Sequence, residues 1–225
     1  MTLPELGPLW LTLRLAAITT GVLLVVGTPL AWWLAHTRSR IKPIVEALTA
    51  LPLVLPPTVL GFYLLVLLNP TAPIGGLWVR VTGTTLTFSF LGLVIASVLY
   101  SLPFAVQPLQ VAFEAIGRRP LEAASVLRAS PLDAFFSVAM PMAAGGYLTA
   151  AVLSFAHTIG EFGAVLMVGG AIPGRTRVIS IQIYEQVETI QYAAAHTLSA
   201  GLLLFSFLVL LVVSGLRRRF PVRVG

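Results

Sequence analysis

Five stretches of this chain are apolar at nearly every position: residues 9–35, 44–68, 86–109, 138–168 and 193–216. A bilayer core of about 30 Å takes roughly 20 apolar residues to cross as a helix. Each stretch is long enough, so the pattern predicts a polytopic all-α membrane bundle of five transmembrane helices in a single domain, residues 1–225. The fourth stretch exceeds one crossing and also reads as a span plus a short re-entrant piece around residues 160–170. The first is too long for the apolar part of a signal peptide, and its leading segment carries Glu5 and no Lys or Arg. It begins too near the start of the chain to leave room for a further span before it.

Prolines interrupt the pattern at Pro52, Pro56 and Pro57 in the second stretch and at Pro103 and Pro108 in the third. Helices in lipid tolerate proline where neighbours re-satisfy the freed carbonyls. The pair Pro56-Pro57 removes two consecutive donors and predicts a kink or local unwinding, which either serves packing or lines a pathway. Gly92-xxx-Ala96 and Ala195-xxx-Ser199 suit close helix contact, as such spacings do in many polytopic proteins. Between the last two spans, residues 169–192 open on the turn-rich GGAIPGRTR. Ile179, Ile183, Val187 and Ile190 then fall at helical spacing, with Gln182, Glu185 and Glu188 between them. That predicts a surface helix lying on the bundle, although ISIQIY alternates as a strand does. The helix either caps the membrane domain or offers a docking face to an external partner.

Charge fixes the orientation. Of the 14 basic residues, Arg38, Arg40, Lys42, Arg118, Arg119, Arg128, Arg217, Arg218, Arg219 and Arg223 flank one side of the predicted spans. Arg80, Arg175 and Arg177 flank the other, and Arg14 lies within a span. The positive-inside rule places the ten in the cytoplasm, the N-terminus outside and the C-terminus inside. The basic residues form no face interleaved with aromatics, so nucleic acid is not a partner. With 57% hydrophobic and 10% charged residues, the chain is far from the roughly 25% charged content of soluble domains.

Catalytic chemistry is sparse. The absence of cysteine excludes a disulfide framework, a thiolate zinc site and a thiol nucleophile. Lys42 is the single lysine and no phosphate-cradling G-x-x-x-x-G-K-[ST] surrounds it. His36, His157 and His196 lack metal-ligand spacing, and there is no G-x-S-x-G. The chain reads as a non-enzyme. His157 and Glu161 stand inside the fourth stretch, four apart, which on a continuous helix puts them on one face. An ionisable residue in a span is a functional candidate because unpaired burial is costly. Glu161 is equally a structural pin, pairing with His157 or capping backbone donors beside Gly160 and Gly163. Thr58 and Ser154 are further candidates for lining a path. Arg175 and Arg177 suit docking of an external partner or anchoring at the interface.

Residues 118–141, RRPLEAASVLRASPLDAFFSVAMP, form a jointed polar segment in an otherwise oily chain. Pro120 fits the first turn of a helix, with Glu122 near its positive end. Residues 121–129 then read as a short helix. Ser130-Pro131-Leu132-Asp133 reads as a new start, with Ser130 as N-cap and Pro131 at the first position. The small residues Ala123, Ala124 and Ala129 let another surface approach closely. A chain without a motor presents here a helical knob for a motor to grip.

This segment resembles the EAA loop of binding-protein-dependent ABC importer permeases. Glu122, Ala123 and Ala124 match its opening, and Val138, Met140 and Pro141 stand for its closing I-x-L-P. Arg128 occupies the position of the family's glycine, which predicts a locally different backbone at the joint. LPLVLPPTVLGFYLLVLL, FSFLGLVIASVLYSLPFAV, TIGEFGAVLMVGG and IPGRTRVIS extend the resemblance to molybdate-type permease subunits over residues 9–216. The resemblance implies the fold of a type I importer permease in a prokaryotic inner membrane. It implies a homodimer with its path at the shared interface, and an extracytoplasmic oxyanion-binding protein that delivers the cargo. Two cytoplasmic ATP-binding subunits, holding ATP and Mg themselves, would grip the coupling loop at about 114–137. Glu122, Ala123, Ala124, Arg128, Ser130 and Pro131 would contact those subunits. Sulfate and thiosulfate permeases share much of the pattern. A membrane assembly or sensor protein on the same fold is the alternative of another class. A secondary transporter would want an inverted repeat and several midplane acids, and only Glu161 is available.

Overall fold

The computed structural model describes residues 7–219 as an all-helical bundle. Glu5 and Arg223 lie outside the described residues, as do the side chains of Arg217, Arg218 and Arg219. Three long helices carry the core: α1 (Gly7–His36), α5 (Phe90–Ile116) and α9 (Ala144–Gly160) pack on one another. In α1 the buried residues include Leu11, Leu15, Leu23, Ala31 and Leu34, a stripe at helical spacing. Small residues bring the axes together. A Cβ at Gly27 would sit 3.6 Å from Ala105, and one at Gly146 would overlap Ala112. The start of α5 is set by Ser89, whose Oγ accepts from Gly92 N at 3.1 Å. It ends at Gly117, φ +68°. Pro103 and Pro108 sit within α5 without breaking it.

The second predicted span is broken more sharply than a kink. Helix α2 (Lys42–Ala50) continues as a 3₁₀ turn to Leu53, and α3 (Pro57–Leu67) leaves at 109° to it. Pro56 and Pro57 have no N–H to offer the carbonyls of Pro52 and Leu53, so the ladder stops there. At its start α2 is tied to the end of α5 through polar groups. Lys42 Nζ lies 3.6 Å from Glu46 and 3.7 Å from Glu114, and Gln110 Nε2 donates to both carboxylates at 2.9 and 3.0 Å. After α3 comes α4 (Pro73–Thr82), a helix the hydrophobic pattern did not predict, started by Pro73 and stopped by Gly83 at φ +71°.

The fourth predicted span is also segmented. It follows α6 (Arg119–Val126) and α7 (Pro131–Ala134). A π-helical turn over Phe135–Ala139 leads into the short α8 (Met140–Met142), and α9 departs at a 70° bend. Beyond Gly160 the chain breaks at Glu161 and Phe162 and resumes as α10 (Gly163–Gly169), which packs on α3 and α5. The short piece expected around residues 160–170 is therefore a separate helix. The surface helix predicted between the last two spans exists as α11 (Ile179–Glu188), rotated from the face expected. Ile181 and Gln182 are buried beside Ile179, while Val187 and Ile190 are exposed. The last span, α12 (Tyr192–Arg219), touches α11 and α9 but is barely covered by the rest of the chain. Among the described residues three helices are long and apolar enough to cross a membrane, or up to five if each bent pair counts as one span.

Candidate functional site

The polar segment of residues 118–141 folds as two short helices at a joint, as its prolines dictate. Helix α6 starts and ends a few residues earlier than the expected 121–129, because the chain turns left-handed at Arg128, φ +61°. Ala129 N donates to Ala124 O at 3.1 Å, the 6→1 bond of a Schellman-type C-cap. The arginine takes the positive φ and bears its cost, about 1 kcal/mol. Arg128→Gly should consequently raise the unfolding temperature of the purified protein, read by thermal denaturation in detergent. Ser130 caps α7, its Oγ accepting from Asp133 N at 3.1 Å, with Pro131 at the first helical position. Glu122, Ala123, Arg128, Ser130 and Pro131 are exposed. Ala124 instead is buried, which corrects its expected place on the docking face. The outward apolar residues are Val126, Leu127, Leu132 and Phe136, which sequence reasoning passed over.

A second site is the break between α2 and α3. Gly163 at the start of α10 presses on it: a Cβ there would stand 2.8 Å from Pro57 Cβ and 3.3 Å from Thr58 N. Gly61 is held as closely against Ala164 and Met167. Leu53, Val54, Pro56 and Thr58 are exposed beside this contact. The junction lies within the depth of the membrane helices. Gly163 is two residues beyond Glu161, and Glu161 neighbours Ser97, seven residues into α5 and about 10 Å from its start.

His157 and Glu161 do not share a helix face, because α9 ends between them and Glu161 is extended (φ −67°, ψ 132°). His157 stacks on Phe104 at 4.1 Å, and its Nδ1 is 2.9 Å from Ser101 Oγ. Ser101 also meets Thr158 Oγ1 at 3.2 Å, so the imidazole is held in a packed polar knot. Glu161 is buried beneath α11, whose Ser180 hydroxyl donates to its carbonyl at 2.6 Å. Its carboxylate oxygens make no well-formed hydrogen bond among the described residues, with the Ser97 hydroxyl nearby. Ser154 is fully buried. Arg175 is exposed, and Arg177 is half-buried with Nη1 3.6 Å from Glu185. Arg14 lies over the Phe90 ring at 4.8 Å, at the start of α5. No cluster of metal-ligating residues occurs among the described residues.

Comparison with known proteins places this architecture. The chain is 61% identical over 214 residues, 95% of both chains, to the molybdenum transport system permease protein ModB of Azotobacter vinelandii. It is 32% identical over 209 residues to the sulfate transport system permease protein CysT of Escherichia coli K12, covering 93% of this chain and 74% of that one. The solved structure of the MetNI methionine ABC transporter in inward-facing conformations superposes with TM-score 0.70 at 19% identity, covering 94% of each chain, and shows the shared fold. Residues 27–224 match the family described as binding-protein-dependent transport system inner membrane component, and the chain belongs to that family.

Proposed function

We propose that two copies of this chain enclose a hydrated path for a tetrahedral oxyanion of the molybdate or tungstate type. Two cytoplasmic ATP-binding subunits drive it through the coupling segment, and an external binding protein supplies the cargo. The observation that carries the reading is the exposed break between α2 and α3. Irregular backbone at membrane depth is tolerated only where protein buries it or where it lines a water-filled cavity. Within one chain that face is uncovered; a second copy with water between the two accounts for it. Thr58, exposed at the start of α3, is the lining candidate this geometry supports.

A dianion needs such a path, since even one charge at the bilayer centre costs several kcal/mol. The path needs no strong anion trap, because conduction requires binding weak enough to release. The placement of Arg14 over Phe90 agrees. Selectivity then resides mainly in the binding protein, with exposed Arg175 suited to docking it or raising the local anion concentration. His157 and Glu161 serve as structural pins between α5, α9 and α11. The cargo rests on the relative from Azotobacter; the sulfate permease at 32% identity supports the second reading, a sulfate-type importer. Vesicles carrying the permease with its ATPase and binding protein should take up molybdate far faster than sulfate. Equal uptake of the two would transfer the assignment to sulfate. ATP turnover that ignores cargo delivery would favour a sensor. In the same vesicles Ser125→Cys, the only thiol in the permease, should react from the ATPase side alone.

A further inference from the structure

Lys42 stands in the first turn of α2, which has no side-chain cap, and Glu114 in the last turn of α5. Each charge is at the unfavourable end of its helix, the cation beside a positive end and the anion beside a negative one. Local rules would exchange them, so their placement serves the pairing between the helices. That pairing closes into a ring. Lys42 Nζ lies 3.6 Å from Glu46 Oε1 and 3.7 Å from Glu114 Oε1, and Gln110 Nε2 donates to the same two oxygens at 2.9 and 3.0 Å. Two carboxylates thus share one ammonium and one amide, with two groups from each helix. Little else fastens α2, in which Thr49 is the one buried residue.

The two helices joined by the ring have different attachments. Beyond Glu114, α5 runs through Gly117, φ +68°, directly into α6. Phe113, beside Glu114, is fully buried and meets Phe135, just past α7, with ring centroids 6.0 Å apart. Both halves of the coupling segment therefore grip the end of α5. From the ring, α2 and its 3₁₀ turn run about 18 Å as a rod to the break at Pro56 and Pro57. We propose that Lys42, Glu46, Gln110 and Glu114 form a permanent clasp through which movement of the coupling segment reaches the break between α2 and α3. They are positioning residues and touch neither cargo nor ATP. The inference deepens the function proposed above and rests on it for what moves the segment and what the break lines. A push on α6 carries the end of α5, the clasp carries α2 with it, and the far end of the rod shifts at the break. Without the clasp α5 slides past α2, and ATP is hydrolysed with the break at rest. The paired side chains are partly exposed, and such pairs add little to stability, so variants that open the ring should fold.

The test uses the permease with its ATP-binding subunits and binding protein in vesicles, with molybdate uptake and ATP hydrolysis measured together. Lys42→Met leaves two carboxylates facing each other, and Glu114→Ala removes the ionic contact from α5. Each should lower the molybdate delivered per ATP by about tenfold, within the range by which single residues alter coupling, with the subunits co-purifying as in wild type. Exchanging the charges, Lys42→Glu with Glu114→Lys, should restore the ratio. The chain has no cysteine, so Lys42→Cys with Glu114→Cys can be bridged by a short reducible cross-linker. The bridged form should deliver cargo at the wild-type ratio and lose it on reduction. Bridging should proceed equally in the nucleotide-free complex and in the complex trapped with ATP and vanadate. A wild-type ratio in both single variants, a bridged form that cannot transport, or bridging confined to one nucleotide state would overturn the clasp. The bridging comparison involves no cargo. It decides the clasp even where wild type takes up no molybdate, a result that would remove the cargo assignment instead.

Discussion

Replacing Leu127 by aspartate is expected to abolish cargo-stimulated ATP turnover while leaving the permease folded in the membrane. Leu127 is 83% exposed and Val126 82%, and Leu132 and Phe136 beside them are also exposed. They sit on the segment with Arg118, Arg119 and Arg128, outside the apolar spans, where water would otherwise cover them. A clustered apolar surface in that position marks a protein contact. Central apolar anchors of such contacts cost 2–4 kcal/mol when removed, about 30- to 1000-fold in affinity. A charge buried there costs more still. ATP hydrolysis by the reconstituted complex, with membrane yield as the control, checks the prediction. Turnover within twofold of wild type would take these residues out of the interface. Ala124→Leu should behave differently. It overpacks the segment against its own chain, at about 1–3 kcal/mol, and should lower the yield of folded protein.

Gly163→Leu should stop import with the ATPase still bound. The added side chain meets Pro57 Cβ and the Thr58 backbone, neither of which is the far end of a flexible group. Either α10 or α3 must move, and with it the exposed break assigned to the path. The coupling segment packs elsewhere in the bundle and is untouched, so co-purification of the ATP-binding subunits should be normal. Import in vesicles should fall to background. Wild-type uptake would show that the break lies away from the cargo. Gly61→Leu, on the same contact through Ala164 and Met167, should repeat the effect.

Much of this was legible in the chain, and the exceptions share a cause. Lipid-spanning helices announce themselves by length and apolarity, so α1, α5 and α12 match their predicted spans closely. The joint between α6 and α7 was legible because Pro120, Ser130 and Pro131 act through local rules. Ala124 was misplaced because two alanines in sequence do not reveal which one faces inward. The pairing of His157 with Glu161 assumed an unbroken helix. Gly160 and Gly163 signalled the break, but only the packing of α10 on α3 shows how far the chain turns. Helix α4 escaped notice because its ten residues are too few for a span and its glycines, Gly75 and Gly76, argue against a helix. Gly75 is there because a Cβ would overlap the carbonyls of Leu68 and Asn69. The face of α11 was misjudged because Gln182, polar by type, turns inward.

The break after Leu53 also bears on how the protein is made. From Lys42 to Leu53 the helix is about 18 Å long and α3 is about 16 Å, so neither piece reaches across a core of about 30 Å. During synthesis neither can settle in the bilayer as a free-standing span. Helix α3 finds its closest support in α10, about a hundred residues downstream. Until the ribosome has delivered Gly163–Gly169, the broken second span waits incomplete, sheltered by α5 or by whatever accompanies the nascent chain. Chains stopped before residue 163 should therefore be the ones that quality-control proteases in the membrane recognise and remove.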